Sequence, residues 1–392
     1  MSLDVILCGG HVLPFGRRRD GSGPRDWVRA AVDGALADAG IDAADIDAVV
    51  VASESDHLSL QLSPGALMAD ELGLVPRPVL RVEGGGASGA LGLRAGLMQL
   101  MSGLARCVLV IGYEHAASHL SGDDVRLLYG LSFDSDLEGW AGVTATALYA
   151  LSIRAHMLRH ATTEDDLAAV AVKNRRNAAA NPLAHRRMPI TAADVLASPV
   201  VSAPYRRLDC SPLSDGAAAA ILMRAADAPR GDKPRVRIIG TGCATDHVRL
   251  GDRGEPDRFA AKARAAAEAL AMAGIAPTEI GVAEVYDAFS GAELQAVEAI
   301  GLAAAGGAAA RLRAGDFAPE GRCPVNLSGG LIGQGAAPGA VGIAQAVTVA
   351  RLLAGRYHAG LQPEAPPRIG LTDTHGGVAT LNVVHVLQRE EP

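Results

Sequence analysis

The stretch Val82–Gly92, VEGGGASGALG, has the makings of a reactive elbow. A short extended run, Pro78–Val82, leads into it, and a helix-compatible run, Ala90–Leu100, leads out. A strand-to-helix turn of this kind aims backbone N–H groups and a helix N-terminus at one spot, which suits a nucleophile or a developing negative charge. The tip is Gly86, so no side chain acts at that position. A second Gly-rich elbow, Ser328–Gly342 (SGGLIGQGAAPGAVG), again precedes a helical run, Ile343–Leu353. Gly84, Gly86 and Gly89 also form a GxGxxG after a strand and before a helix, with Glu114 further on. Such a pattern suits NAD binding, although the spacing is loose and this is not the first βα unit.

The elements that must position these elbows are legible. Short β-branched runs at Val5–Cys8, Ala48–Ala52, Val108–Gly112, Ala218–Met223, Val236–Gly240, Val282–Tyr286, Arg368–Thr372 and Leu381–Leu387 alternate with Ala-rich helical patterns. That alternation predicts an α/β fold with largely buried sheets. Residues 35–51, ALADAGIDAADIDAVVV, repeat as 269–285, ALAMAGIAPTEIGVAEV. With the paired elbows this predicts two similarly folded halves, 1–235 and 236–392. The first half carries an excess at about 116–209, with helices near Val143–His160 and Glu164–Ala178. It reads as a lid over the site, its Arg-rich part Asn174–Arg187 broken by Pro182 and Pro189.

Bulk composition narrows the function. The 392 residues are 49% hydrophobic but only 3% aromatic, so the core is built from Ala, Val, Leu and Ile. A net charge of -7 without a basic, aromatic-interleaved stripe argues against nucleic-acid binding. Five scattered cysteines fit a reducing compartment, and no CxxC or HExxH metal motif is present. No signal peptide or membrane span is read, so a cytoplasmic protein is expected.

Several blocks carry a family likeness: VEGGGASG, VLVIGYEHA, the long LAAVAVKNRRNAAANPLAHRRMPIT, EVYDAFSGAEL and PVNLSGGLIGQGAAPGAVGIAQA. Through them the chain resembles the thiolase superfamily, in its sterol carrier protein x and archaeal branch. The resemblance implies a five-layer α-β-α-β-α sandwich of two similar halves, a homodimer, and coenzyme A thioesters as substrates with no covalently bound cofactor. It also implies three functional spots. Laid on the family pattern, Gly86 stands where the acyl-accepting Cys belongs, Tyr286 where the strand-end motif has His or Asn, and Ala336 where the second elbow has its His. His375 lies in the C-terminal catalytic segment, beside Gly376 and Gly377.

Without a thiolate, acyl transfer through Cys is lost. The family's backbone oxyanion hole would survive at Gly86, Gly376 and Gly377, and it can hold a thioester enolate. Cysteine-less relatives with a YD-F motif are retro-aldolases on CoA thioesters, though they carry a second Tyr that this chain lacks. The expected enzyme therefore makes or breaks C–C bonds non-covalently. Tyr286, as a phenol of lowered pKa, and His375 are the acid/base candidates, and Ser88, Asn326 and Ala336 line the substrate pocket. Asp287 reads as structural. The alternatives are a degenerate subunit that binds a thioester or scaffolds a small OB-fold, zinc-ribbon partner, and the NAD-binding reading. The family likeness leaves open whether a CoA or an acyl-carrier thioester is bound.

Overall fold

A computed structural model describes residues 3–230 and 234–390. The first half runs β1 (Val5–Val12), α1 (Pro24–Ala39), β2 (Ala48–Ala52), α2 (Asp56–Ser59), α3 (Pro64–Glu71), β3 (Val79–Val82), α4 (Ser88–Met101) and β4 (Cys107–Glu114). Then come α5 (Gly122–Gly130), α6 (Ala145–His160), α7 (Glu164–Ala180), α8 (Ala192–Ala197), a small hairpin of β5 (Val200–Ser202) and β6 (Tyr205–Arg206), and β7 (Gly216–Arg224). The second half runs β8 (Val236–Thr245), α9 (Ala260–Ala273), β9 (Val282–Glu284), α10 (Ser290–Ile300), α11 (Ala308–Arg313), α12 (Gly330–Gln334), α13 (Pro338–Leu353), β10 (Ile369–Gly376) and β11 (Leu381–Arg389).

Among the described residues nine strands form one sheet in the order β3-β2-β4-β7-β1-β8-β11-β10-β9. This order contains one motif twice. In the first half β3, β2 and β4 are parallel, and β7 and β1 follow antiparallel. In the second half an isolated bridge at Val325, then β9 and β10, are parallel, and β11 and β8 follow antiparallel. Among the described residues the strand pairs Val5–Ile238 and Ile6–Arg237 join the two halves of the sheet.

Sequence periodicity explains the layering. On β4 alternate residues face opposite ways. Val108 and Val110 join a core with α4 and α13, while Leu109 and Ile111 join a core with α1. Helix α13 packs against α4 and against strands of both sheets, so α4 and α13 form the central layer. The outer layers are α1 on the first sheet and α9 on the second. The result is the five-layer α-β-α-β-α sandwich. Close approach within the central layer needs glycine: a Cβ on Gly89 would stand 2.8 Å from the Gly339 carbonyl.

The repeated sequence block folds alike in both copies. Helices α1 and α9 each end at a glycine with positive φ, Gly40 and Gly274. Each is followed by one 3-10 turn and a buried strand, β2 or β9. Among the described residues no helix is long and apolar enough to cross a membrane.

Candidate active site

The first elbow is shaped by its own small polar groups. The Ser88 hydroxyl accepts from the Gly84 N–H (3.0 Å) and donates to the Gly85 carbonyl (2.7 Å), closing the turn at the start of α4. Glu83 accepts from the Gly85 N–H at 2.7 Å. Gly85 has φ +57, in the left-handed region that favours glycine. Gly86 is buried at the tip and lines a cavity of about 540 Å³.

Gly86 is required by its neighbour. A Cβ at position 86 would lie 2.2 Å from the Tyr286 hydroxyl and 2.6 Å from the His375 carbonyl oxygen. The phenol, arriving from the chain beyond β9, fills the space into which a side chain at the tip would project. Tyr286 is 6% exposed and faces the cavity. Burial pushes its pKa well above the ordinary 10, and the charges of Glu54, Tyr149, Asp287 and Glu114 add to this. The expectation of a lowered phenol pKa is therefore corrected: Tyr286 is a neutral phenol at physiological pH, because burial and the acidic groups around it disfavour the charged form.

His375, on β10, also lines the cavity but is locked. Lys262 Nζ lies 3.0 Å from its Nδ1 and also pairs with Asp373. Its Nε2 lies 2.6 Å from the Tyr149 hydroxyl, which in turn donates to the Gly377 carbonyl at 2.6 Å. An ammonium can only donate, so Nδ1 accepts and Nε2 carries the proton. Burial first, then Lys262 and Arg253, drive the imidazole pKa well below 6.5. The chain Asp373–Lys262–His375–Tyr149 thus holds a neutral ring with both nitrogens engaged.

The other anticipated residues divide. Ala336 and Gly377 line the same cavity. Gly376 packs behind it: a Cβ there would sit 2.1 Å from the Gly84 carbonyl oxygen, so this glycine lets the C-terminal strand close on the elbow. Ser88 and Asn326 do not line the cavity. Ser88 spends its hydroxyl on the elbow, as described. Asn326 is fully buried, accepting from the Val285 N–H (2.8 Å) and donating to Glu293 (2.8 Å). Asp287 caps α12 by accepting from the Leu331 N–H at 2.6 Å. His115 and His119 stack on each other at 4.0 Å, away from the cavity.

The Arg-rich segment is not the lid. Lys173, Asn177 and Asn181 donate to the carbonyls of Val325, Asn326 and Ser328, bracing the second elbow from α7. Arg175 is buried on the carbonyls of Arg186 and Met188, and Arg176, Arg186 and Arg187 point away into solvent. The cavity wall comes instead from residues 122–149: Gly122, Val125, Arg126, Tyr129, Phe133 and Tyr149 among them.

Sequence reasoning missed Glu54, Tyr129 and Tyr149. Glu54 follows β2, at the carboxyl end of a parallel strand, where α/β sheets gather their ligands; that position was the available signal. Its carboxylate accepts from the Tyr129 hydroxyl at 2.8 Å. Burial pushes its pKa up to about 7, opposed by that hydrogen bond and aided by Glu83. The five cysteines have raised pKa values through burial, and none lines the cavity. The GxGxxG glycines are covered by protein, Gly86 by Tyr286 and Gly89 by Gly339 and Gly342. Glu114 is spent on the N–H groups of Glu54 and Gly339.

Known proteins agree with this architecture. The thiolase N-terminal domain family matches residues 9–198, and the thiolase C-terminal domain-like family matches 242–389. An acetyl-CoA acetyltransferase of Methanothermobacter thermautotrophicus is 38% identical over 387 residues, 98% of this chain and 100% of that protein. The solved structure titled Ltp2-ChsH2(DUF35) aldolase superposes with a TM-score of 0.82 at 25% identity, over 100% of this chain and 99% of the other. Human mitochondrial 3-ketoacyl-CoA thiolase in complex with CoA shares the fold, with a TM-score of 0.74 at 16% identity over the full length of both chains. With its duplicated sheets, its two elbows and these relatives, the chain belongs to the thiolase superfamily.

Proposed function

We propose that this protein acts on acyl-CoA thioesters by breaking or forming a C–C bond, in an aldol or Claisen sense, without an acyl-enzyme. The observation that carries the reading is the Tyr286 hydroxyl in the space that a side chain at position 86 would need. A nucleophile cannot stand there while Tyr286 does. A thioester carbonyl placed at the tip would meet the Gly86 N–H just before α4, the backbone of Gly377, and the phenol. Each well-aimed donor is worth about 3 kcal/mol to a developing enolate oxygen. The raised pKa keeps Tyr286 protonated, so it supplies the acid half of the chemistry. His375 positions Tyr149 and the Gly377 segment instead of taking protons.

The substrate class follows the relatives, which include an acetyl-CoA acetyltransferase and a thiolase bound to CoA. The working form is proposed to be a homodimer in the cytoplasm. A small OB-fold, zinc-ribbon partner is proposed as well, because the aldolase neighbour carries a DUF35 component. A second reading, a thioester-binding subunit without turnover, is favoured by one observation: both nitrogens of His375 are engaged and Ala336 carries no protons.

The test is incubation of the pure protein, with and without such a partner, with β-hydroxyacyl-CoA and β-ketoacyl-CoA panels. Mass spectrometry is expected to find a released aldehyde or ketone and a shortened acyl-CoA. An acylated protein contradicts the proposal, and tight thioester binding with no product favours the second reading.

A further inference from the structure

Retro-aldol cleavage needs a group that accepts a proton, and neither anticipated residue can. Tyr286 is held protonated, and His375 has no free lone pair facing the cavity. The cavity lining contains one carboxylate, Glu54, beside the elbow. A Cβ on Gly85, one residue from the tip, would lie 3.8 Å from Glu54 Oε1. The other oxygen, Oε2, is fixed by the Tyr129 hydroxyl, and the Glu54 backbone N–H is anchored on the buried Glu114 carboxyl at 2.9 Å. One oxygen is therefore held and the other is left facing the elbow.

We infer that Glu54 is the proton acceptor of this site and Tyr129 its positioning residue. The inference rests on the reading of the cavity as a thioester site. The Glu54 carboxylate takes the proton of the substrate's β-hydroxyl. The O–H electron pair becomes the second bond of the released carbonyl. The Cα–Cβ pair moves onto the thioester as its enolate, whose oxygen meets the Gly86 N–H and the Tyr286 hydroxyl. Glu54 then passes its proton to Cα, giving the shorter acyl-CoA. Atoms and electrons balance, and no co-reactant is needed.

The pH response follows from the surroundings. Tyr129 approaches Glu54 from α5, Tyr149 from α6, Tyr286 from beyond β9, Glu114 from β4 and Glu83 from the end of β3. With its pKa near 7, the carboxylate form grows as pH rises through neutrality, and activity rises with it. Tyr129 donates to the charged form, so its removal raises the carboxyl pKa further.

The test is deuterium exchange at the α-carbon of acetyl-CoA and propionyl-CoA in D₂O, followed by mass spectrometry. This is the enolisation half of the reaction and requires no C–C cleavage. The wild type is expected to exchange, with a basic-limb plateau above about pH 7. Glu54→Gln is expected to lose about 100-fold or more in exchange, with acetyl-CoA affinity unchanged. Tyr129→Phe is expected to keep exchange but move the limb to higher pH; this variant decides the matter if Glu54→Gln does not fold. Absence of enzyme-dependent exchange in the wild type, or a Glu54→Gln protein that exchanges like wild type, overturns the inference. An unmoved limb in Tyr129→Phe overturns the role of Tyr129. Exchange without aldehyde or ketone release refutes C–C chemistry while leaving Glu54 as the base. Carbonyl release that persists in Glu54→Gln refutes Glu54 while leaving the C–C reading intact.

Discussion

The two elbows are built from the same supersecondary unit and are put to different uses. The first, Gly84–Ser88, opens on the cavity and is fixed by one serine hydroxyl and one glutamate. The second, Gly329–Ala336, is buried throughout. It is clamped by Asp287 on α12, by Glu284 on Ser328 and by Lys173, Asn177 and Asn181 on residues 325–328. The clamped elbow reaches the cavity through Leu331 and Ala336, which carry no polar side chain. The open one keeps a bare backbone tip, and other elements bring the side chains to it: Tyr286 from the second half, Glu54 from the first. The lesson is that loss of a tip side chain does not empty a site when a neighbouring strand end fills the same volume.

The sharpest way to break this contrast is on the rigid side. Lys262 and Asp373 are fully buried partners, so Lys262→Met strands a carboxylate in the core. A loss of about 3–5 kcal/mol is expected, read as a lower denaturation midpoint. Next comes the open tip. Gly86→Ala forces its Cβ against the Tyr286 hydroxyl, and a loss of about 1–3 kcal/mol is expected with collapse of turnover. Pairing it with Tyr286→Ala removes the contact with the phenol, though not that with the His375 carbonyl, so a double-mutant cycle should show positive coupling of about 1 kcal/mol or more. Additive losses would mean that the two positions do not share one volume.

Smaller again is Ser88→Ala, which leaves the Gly84 N–H without its acceptor and should cost about 1 kcal/mol in thermal or denaturant unfolding. Asn326→Ala, by contrast, should leave thioester affinity unchanged while lowering stability, because its amide serves the protein and not the cavity. The smallest effect belongs to His375. Its folded pKa lies below its unfolded value, so the unfolded chain binds more protons as pH falls through about 6.5. Its contribution to stability is complete above that pH and declines below it. Its ring signals in NMR should not titrate between pH 5.5 and about 8; a titration near 6.5 would break the proposed lock.

Much of the fold was legible because its cues are local. The A-G-I repeat ends two helices at left-handed glycines, and the β-branched runs become the buried strands. Strand β9 stops at Glu284, short of the expected Tyr286, because Asn326 takes the Val285 N–H and opens the chain toward the cavity. The site was half legible. Gly86, Tyr286, His375, Ala336 and Gly377 do meet at one cavity. What local patterns could not convey was direction. Asn326 has φ +57 and turns its amide inward, and Lys173 and Asn177 of α7, with Asn181 at its C-terminal cap, are buried on carbonyls. Protonation was equally hidden, since it depends on Lys262, Tyr149 and Glu54, each remote in sequence from the group it governs.

The central claim is chemistry without an acyl-enzyme. Rapid-quench intact-mass measurement of the protein during turnover of a β-hydroxyacyl-CoA tests it most directly. The account predicts an unmodified protein mass at every time point while the aldehyde or ketone and the shorter acyl-CoA accumulate. A transient mass increase equal to the acyl group, on any residue, would contradict it.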